Sequence, residues 1–394
     1  MLNSSLARLA TLGLALLSMI IGGGLTRSSS NPSARASLVV HEWGTFTSVA
    51  GRDGSKLVWR PLTFESDLPS FVYSVDKGST WRGLRYPLKS GMAVKVRMET
   101  PVVYFYSEEE MTVKLKVDFP GGRITEWYPK ASSVSRGNID WGEVRILPRA
   151  QVGLANDFRE NHYYPARETD SALVQVRNGR QLEHEKFLFY RGVGNFDLSL
   201  SVRLEEDKVA IRNSNQEDIE QVILFENSGG RIGFQILNMS ETELVVDRPS
   251  LDDNLPELRQ KIRTMLVANG LYEKEAEAML NTWRDSWFEE GLRVFYLLPR
   301  KTTDAILPLV IEPEPAGLVR VLVGRTELIT PEMEENVTNH ISHLSERSPG
   351  DRATALKEIN KYGRFLEPIL TQILRHTTDT GLKMEVERLL EEMD

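Results

Sequence analysis

The chain has 394 residues and not one cysteine. That excludes a disulfide framework, a thiolate metal site, a cysteine nucleophile and a lipid-anchored cysteine. Three common nucleotide and hydrolase signatures are also missing: there is no G-x-S-x-G, no P-loop and no dinucleotide fingerprint. The zinc signature H-E-x-x-H fails after its first two letters, because Thr45 stands where the second histidine would be. No repeat of fixed period runs through the chain.

Basic charge is in short supply. The formal net charge is −8. Residues 1–36 carry Arg8, Arg27 and Arg35 and no acid, so without them 45 basic residues face 56 acidic ones, a net charge of −11. An acidic chain of this kind argues against nucleic acid or anionic lipid as the main partner.

Residues 9–21 form an apolar run of 13 residues, short of the ~20 that a spanning helix needs. Arg8 precedes the run, glycines 22–24 break it, and Ala34-Arg35-Ala36 offers an A-x-A cleavage site. This is the pattern of a secretory signal peptide. Export to the periplasm or the extracellular space is expected, with no membrane contact after cleavage. An uncleaved anchor is the alternative, because the stretch between the run and Ala36 is long.

With 41% hydrophobic and 26% charged residues, the remainder reads as globular. From 37 to 248 the signals are short alternating runs and turns. Val113, Leu115, Val117 and Phe119 share one strand face, and residues 93–99 alternate in the same way. Pro101 then marks a strand start, an edge or a bulge, because it cannot donate to a ladder. Residues 149–171 are polar and irregular. The fold expected is mainly β with α: an antiparallel sandwich-like body without helical crossovers.

At Pro249 the period changes. Ser250, Asp252 and Asp253 offer caps for a helix that ends before Gly270. A second helix is expected over 273–290, its buried stripe running through Met279, Trp283 and Trp287. Strand-like runs return at 293–298, 305–311 and 318–323, and the spacing leaves open which sheet they join. From Thr330, followed by Pro331 at the first helical position, a C-terminal helical unit occupies 331–394. The domains expected are therefore a leader over 1–36, a β-rich body over 37–248, a helical pair with further strands over 249–330, and the terminal unit.

The stretch His41-Glu42-Trp43-Gly44-Thr45-Phe46 concentrates the chemistry. A strand alternates its faces, so His41 and Trp43 point one way and Glu42 and Phe46 the other. Whichever face is buried takes an ionisable group with it, and such a group needs a partner. His41 reads as a structural histidine bonded to a carboxylate, or as a metal ligand. His184, between Glu183 and Glu185, is the second candidate ligand; with a glutamate the pair would suit a divalent ion such as zinc.

Acid–Trp pairs recur at Glu42-Trp43, Glu126-Trp127 and Asp140-Trp141. Strand alternation sends each Trp into the core and its acid to solvent. A sharper alternative is a cleft of carboxylates and aromatic plates that takes a sugar. Glu99 lies beside Pro101, where a bend would aim it into a cleft. Glu290 falls in what reads as the last turn of a helix, where the macrodipole disfavours an acid. Glu42, Glu99, Glu126 and Glu290 are the candidate catalytic carboxylates.

Four stretches resemble one group of uncharacterised bacterial exported proteins. They are His41-Glu42-Trp43-Gly44-Thr45-Phe46-Thr47-Ser48, Met98-Glu99-Thr100-Pro101-Val102-Val103-Tyr104-Phe105-Tyr106, Ile124-Thr125-Glu126-Trp127-Tyr128-Pro129 and Ser286-Trp287-Phe288-Glu289-Glu290-Gly291. The resemblance covers about 38 to 330. It implies export and a single inherited architecture, and it brings no activity and no functional residues with it. Two functions stay open: a non-catalytic binding or scaffold protein for a small molecule, glycan or protein, and a metal-assisted or carboxylate-dependent hydrolase.

Overall fold

A computed structural model describes residues 37–62, 67–76, 80–81, 84–85, 91–214, 217–344 and 349–393. The leader expected over 1–36 lies outside the described residues. No described helix is long and apolar enough to cross a membrane.

The opening strand, Val39–Ala50, is the middle of a nine-stranded sheet. It pairs antiparallel with Val96–Tyr106 on one side and parallel with Gly317–Leu328 on the other. Its sequence suits that place, because β-branched and aromatic residues fill both faces of a central strand. Val40 and Phe46 enter one apolar cluster and Trp43 enters another. The first cluster lies between the nine-stranded sheet and a six-stranded antiparallel sheet, which contributes Val113, Leu115, Val117 and Trp141. The second lies under two helices, Leu255–Ala268 and Glu273–Thr282, through Leu258, Ile262, Met279 and Leu280. The protein is thus mainly β with α, two sheets face to face and helices on the outer face of the larger one. The C-terminal helices close a third cluster over Val49, Trp59 and Ile329.

The parallel pair departs from the expected all-antiparallel body. A parallel neighbour needs a long crossover, and the whole chain between the two strands supplies it. The late strand-like runs also find their places. Gly291–Leu297 and Gly317–Leu328 lie inside the nine-stranded sheet, and Leu309–Glu312 extends the six-stranded one. Residues 300–306, partly read as strand, form a short helix, Arg300–Ile306.

Two local features were expected in different form. The runs on either side of Pro101 are one strand with a bulge. Trp43 faces Val102 and Thr45 faces Glu99, so Gly44 alone opposes Thr100 and Pro101. Thr100 takes φ 48° to make room for the extra residue. The helix that begins at Glu273 stops at Thr282, not at 290. Arg293 explains the stop. Its guanidinium donates to the carbonyls of Trp287, Glu289 and Glu290 at 2.6–2.9 Å, and so holds the 283–290 segment as an irregular turn. The first helix is capped by Asn254, whose side chain accepts from Glu257 N, and not by Ser250, Asp252 or Asp253. Gly270 follows its end with φ +102°, as a position just past a helix requires.

A Cβ on Gly44 would lie 2.9 Å from the Pro101 Cα, a main-chain atom that cannot move aside cheaply. Gly44→Ala is therefore expected to lower stability by about 1–3 kcal/mol, read as an earlier urea midpoint at unchanged slope. An unchanged midpoint would show that the bulge relaxes freely.

Candidate functional site

The inner strands carry more charge than a sheet core usually holds. On the face of the nine-stranded sheet that bears Trp43, six neighbouring strands each contribute a polar side chain to one belt. In sheet order these are Arg293, then Arg325 with Glu327, Thr47, Arg97 with Glu99, Arg191 and Glu126. Glu99, Glu126, Arg191, Arg293, Arg325 and Glu327 are all buried. The belt separates the helix-covered cluster from the one under the C-terminal helices.

Charged groups from loops complete it. Arg293 forms a two-bonded pair with Glu327 at 2.8 and 3.0 Å. Arg325 joins Glu327 at 3.0 Å to Glu289 at 2.8 Å. Arg364, from the C-terminal unit, then spans Glu289 at 3.0 Å and Glu99 at 2.8 Å. Glu99 also accepts from Thr47 Oγ1 at 2.9 Å and lies 3.3 Å from Arg97. Further along, Arg191 spans Glu126 at 3.1 Å and Asp67 at 2.9 Å. His162 bridges Asp67 at 3.0 Å and Asp285 at 2.7 Å. Five arginines thus meet the five carboxylates of Glu99, Glu126, Glu289, Glu327 and Asp67, so the belt is close to neutral.

The pairing fixes the protonation states. Burial raises a carboxyl, yet Arg364, Arg97 and Arg325 override it at Glu99 and hold that group below the usual range. Burial works against ionisation at Glu289 too, and Arg364, Arg325 and Arg293 bring it down to about 2. At Asp67 burial loses to Arg191 and to the His162 contact, which hold the carboxyl well below its ordinary value. At His162 burial opposes the charge, but Asp67 and Asp285 outweigh it and the imidazole is shifted up. Some donors stay unspent: among the described residues Arg325 Nε and Nη1 have no hydrogen-bond partner.

The six residues nominated from sequence do not gather in one place. Glu99 and Glu126 belong to the belt. Glu42 points to the other face and is fully buried, accepting from Tyr190 Oη and from Arg320 Nε, each at 2.5 Å. His41 is buried with its Nδ1 2.7 Å from Glu275, which also accepts from Tyr106 Oη at 2.7 Å and from Tyr272 N at 2.7 Å. His184 sits on the Gln181–Glu185 edge strand with its Nε2 2.8 Å from the Gln175 side-chain amide. Glu290 is exposed and accepts from Gly229 N, so it caps a hairpin turn; its neighbour Glu289 is the one that enters the belt. Glu42 and Glu126 also correct the expectation that acids beside tryptophan meet solvent, because both sides of their strands are covered.

A zinc site does not fit this arrangement. His41 and His184 have separate partners, and among the described residues no group of three His, Asp or Glu is placed to hold a metal ion. What sequence reasoning passed over is Arg191, Arg325 and Arg364. Arg325 and Glu327 are two apart in a strand, hence on one face, and that spacing was the available signal. The four stretches that carry the resemblance each place a residue here: Thr47, Glu99, Glu126 and Glu289.

No family model matches the chain, and no curated protein matches it. Among solved structures it is similar to the yeast delta-COP-I mu-homology domain complexed with a Dsl1 WxWxV peptide, at 8% identity and TM-score 0.27, over 74% of this chain and 96% of that one. The same yeast domain without the peptide gives 8% identity and TM-score 0.26 over the same shares. Likeness at this level carries no argument about function.

Two measurements test the belt. Arg364→Met takes one of several partners from Glu99 and from Glu289, and is expected to cost about 1–3 kcal/mol in urea denaturation. The acid limb gives the second. Glu289 binds its proton at about 2 when folded against an ordinary 4.5, and its stabilising contribution is complete above 4.5. Stability should therefore fall as pH drops from about 4.5 towards about 2, and Arg364→Met should flatten that slope. A slope unaltered in the variant would show that the carboxylates do not depend on Arg364.

Proposed function

We propose that this chain is an exported, non-catalytic binding or scaffold protein. One observation carries the reading: the carboxylates of the belt are spent on arginines. A general acid needs its pKa near the working pH, which burial without a cation provides. Here Glu99, Glu289 and Asp67 are displaced in the opposite direction. Such groups brace layers and do not exchange protons at neutral pH. The leader pattern and the acidic mature chain support work outside the cytoplasm.

A second reading, hydrolysis, has one observation in its favour. His41 is oriented through Nδ1 by the buried Glu275, and its Nε2 has no hydrogen-bond partner among the described residues. An imidazole held by a carboxylate is the geometry of a general base. In this form the hydrolase would use His41 as a base and not as a metal ligand.

The two readings separate in one assay. The purified mature protein, His41→Ala and Glu99→Gln are tested against chromogenic esters, phosphoesters and glycosides, with metal content measured alongside. The binding reading expects no turnover above buffer and no stoichiometric metal in any of them. Turnover that disappears in a folded His41→Ala would overturn it, as would stoichiometric Zn²⁺ lost in that variant.

A further inference from the structure

The ladder between Gly291–Leu297 and Gly317–Leu328 is incomplete. Its last matched pair is Leu297 with Val323, followed by one bond from Leu298 N to Leu322 O at 2.8 Å. Pro299 has no N–H to continue it, and the chain turns into the Arg300–Ile306 helix. The inner strand runs on without that neighbour. On its other edge it stays paired with the opening strand down to Val39 and Gly317. Among the described residues, the edge of 318–321 has no neighbouring strand, in the middle of a sheet and not at its rim, and only its Leu318 carbonyl is met, by the Arg300 side chain.

That edge forms the floor of a groove of about 360 Å³. Main-chain groups alternate edges along a strand. The carbonyl of Leu322 accepts from Leu298 N and that of Leu318 accepts from Arg300 Nη1 at 3.1 Å, so both face this edge. The N–H and C=O of Arg320 lie between them and face it as well. Exposure agrees. The Arg320 side chain is 0% exposed while the residue as a whole is 6%, so what reaches the groove is its main chain. Peptide groups open in this way are the usual docking point for an added strand.

The walls narrow the occupant. Met265, Leu297, Val319 and Val321 give an apolar side. The lining also holds Asp218 and Glu220, both exposed and without an ion pair among the described residues, and Arg300, whose charge is met by Asp304. We infer that this groove takes an extended segment of a partner protein, as an added strand on residues 318–321, with apolar residues alternating with lysine or arginine. At about 3.3 Å per residue this edge matches roughly four residues. Alternate side chains meet the apolar wall, and the basic ones meet Asp218 and Glu220. The inference rests on the binding reading above and names the kind of partner it would take.

The test uses capped hexapeptides of alternating lysine and valine and the mature protein, by calorimetry. Two N-methylated isomers are compared, one methylated at odd and one at even positions. An added strand uses only every second amide, so one isomer should lose binding at least about tenfold and the other should keep it. Asp218→Lys with Glu220→Lys should weaken the unmethylated peptide by about tenfold, and Asn269→Trp, on the groove wall, should block it. No binding at millimolar peptide would overturn the inference, as would equal binding of the two isomers, which leave the protein untouched. Turnover in the substrate panel with peptide binding intact would overturn the binding-only reading and leave the groove. Silence in both assays would overturn the groove alone.

Discussion

A guanidinium taken out of water costs several kcal/mol unless a carboxylate meets it in good geometry. The larger sheet places Arg191, Arg293 and Arg325 on its helix-covered face, fully or almost fully buried, and much of the remaining architecture answers that demand. Glu327 is two residues from Arg325 on the same strand and reaches Arg293 on the next one. The 283–290 segment gives up a helical turn so that its carbonyls and Glu289 serve Arg293 and Arg325. The C-terminal unit is fastened by the same rule, since Arg364 ties Glu289 to Glu99. Arg60 and Glu367 add a second tie at 2.9 Å.

The opening strand shows the rule on both its faces. The sequence posed a choice between burying His41 and burying Glu42. The fold buries both and supplies a partner for each, Glu275 for the imidazole and Arg320 with Tyr190 for the carboxylate. Helix and sheet are joined in this way: Glu275 caps the Glu273–Thr282 helix through Tyr272 N while it holds His41.

Local patterns were readable where one face decides the period. Val113, Leu115 and Val117 point to the core as their alternation requires, and the C-terminal unit is helical from Pro331, as expected. What was not readable depends on residues far apart. Glu42 meets Arg320 across 278 positions and His41 meets Glu275 across 234. No local pattern encodes such a partner. The 283–290 segment was misread for the same reason: Trp283 and Trp287 keep a helical stripe, and the group that breaks the helix, Arg293, acts from the following strand. The parallel pairing was hidden too, because no short helical crossover announces it.

That pairing has a kinetic side. The middle of the sheet joins Val39–Ala50 to Gly317–Leu328, so its two central neighbours are separated by most of the chain. Contacts that distant form late and slowly, since a long loop must be closed before they are rewarded. A nascent chain made from the N-terminus holds its opening strand without its parallel partner until synthesis has passed Leu328. A polypeptide that must stay unfolded to thread through a membrane would gain time from this arrangement. The same delay leaves an apolar strand uncovered, and so ties successful folding to protection of that strand from aggregation.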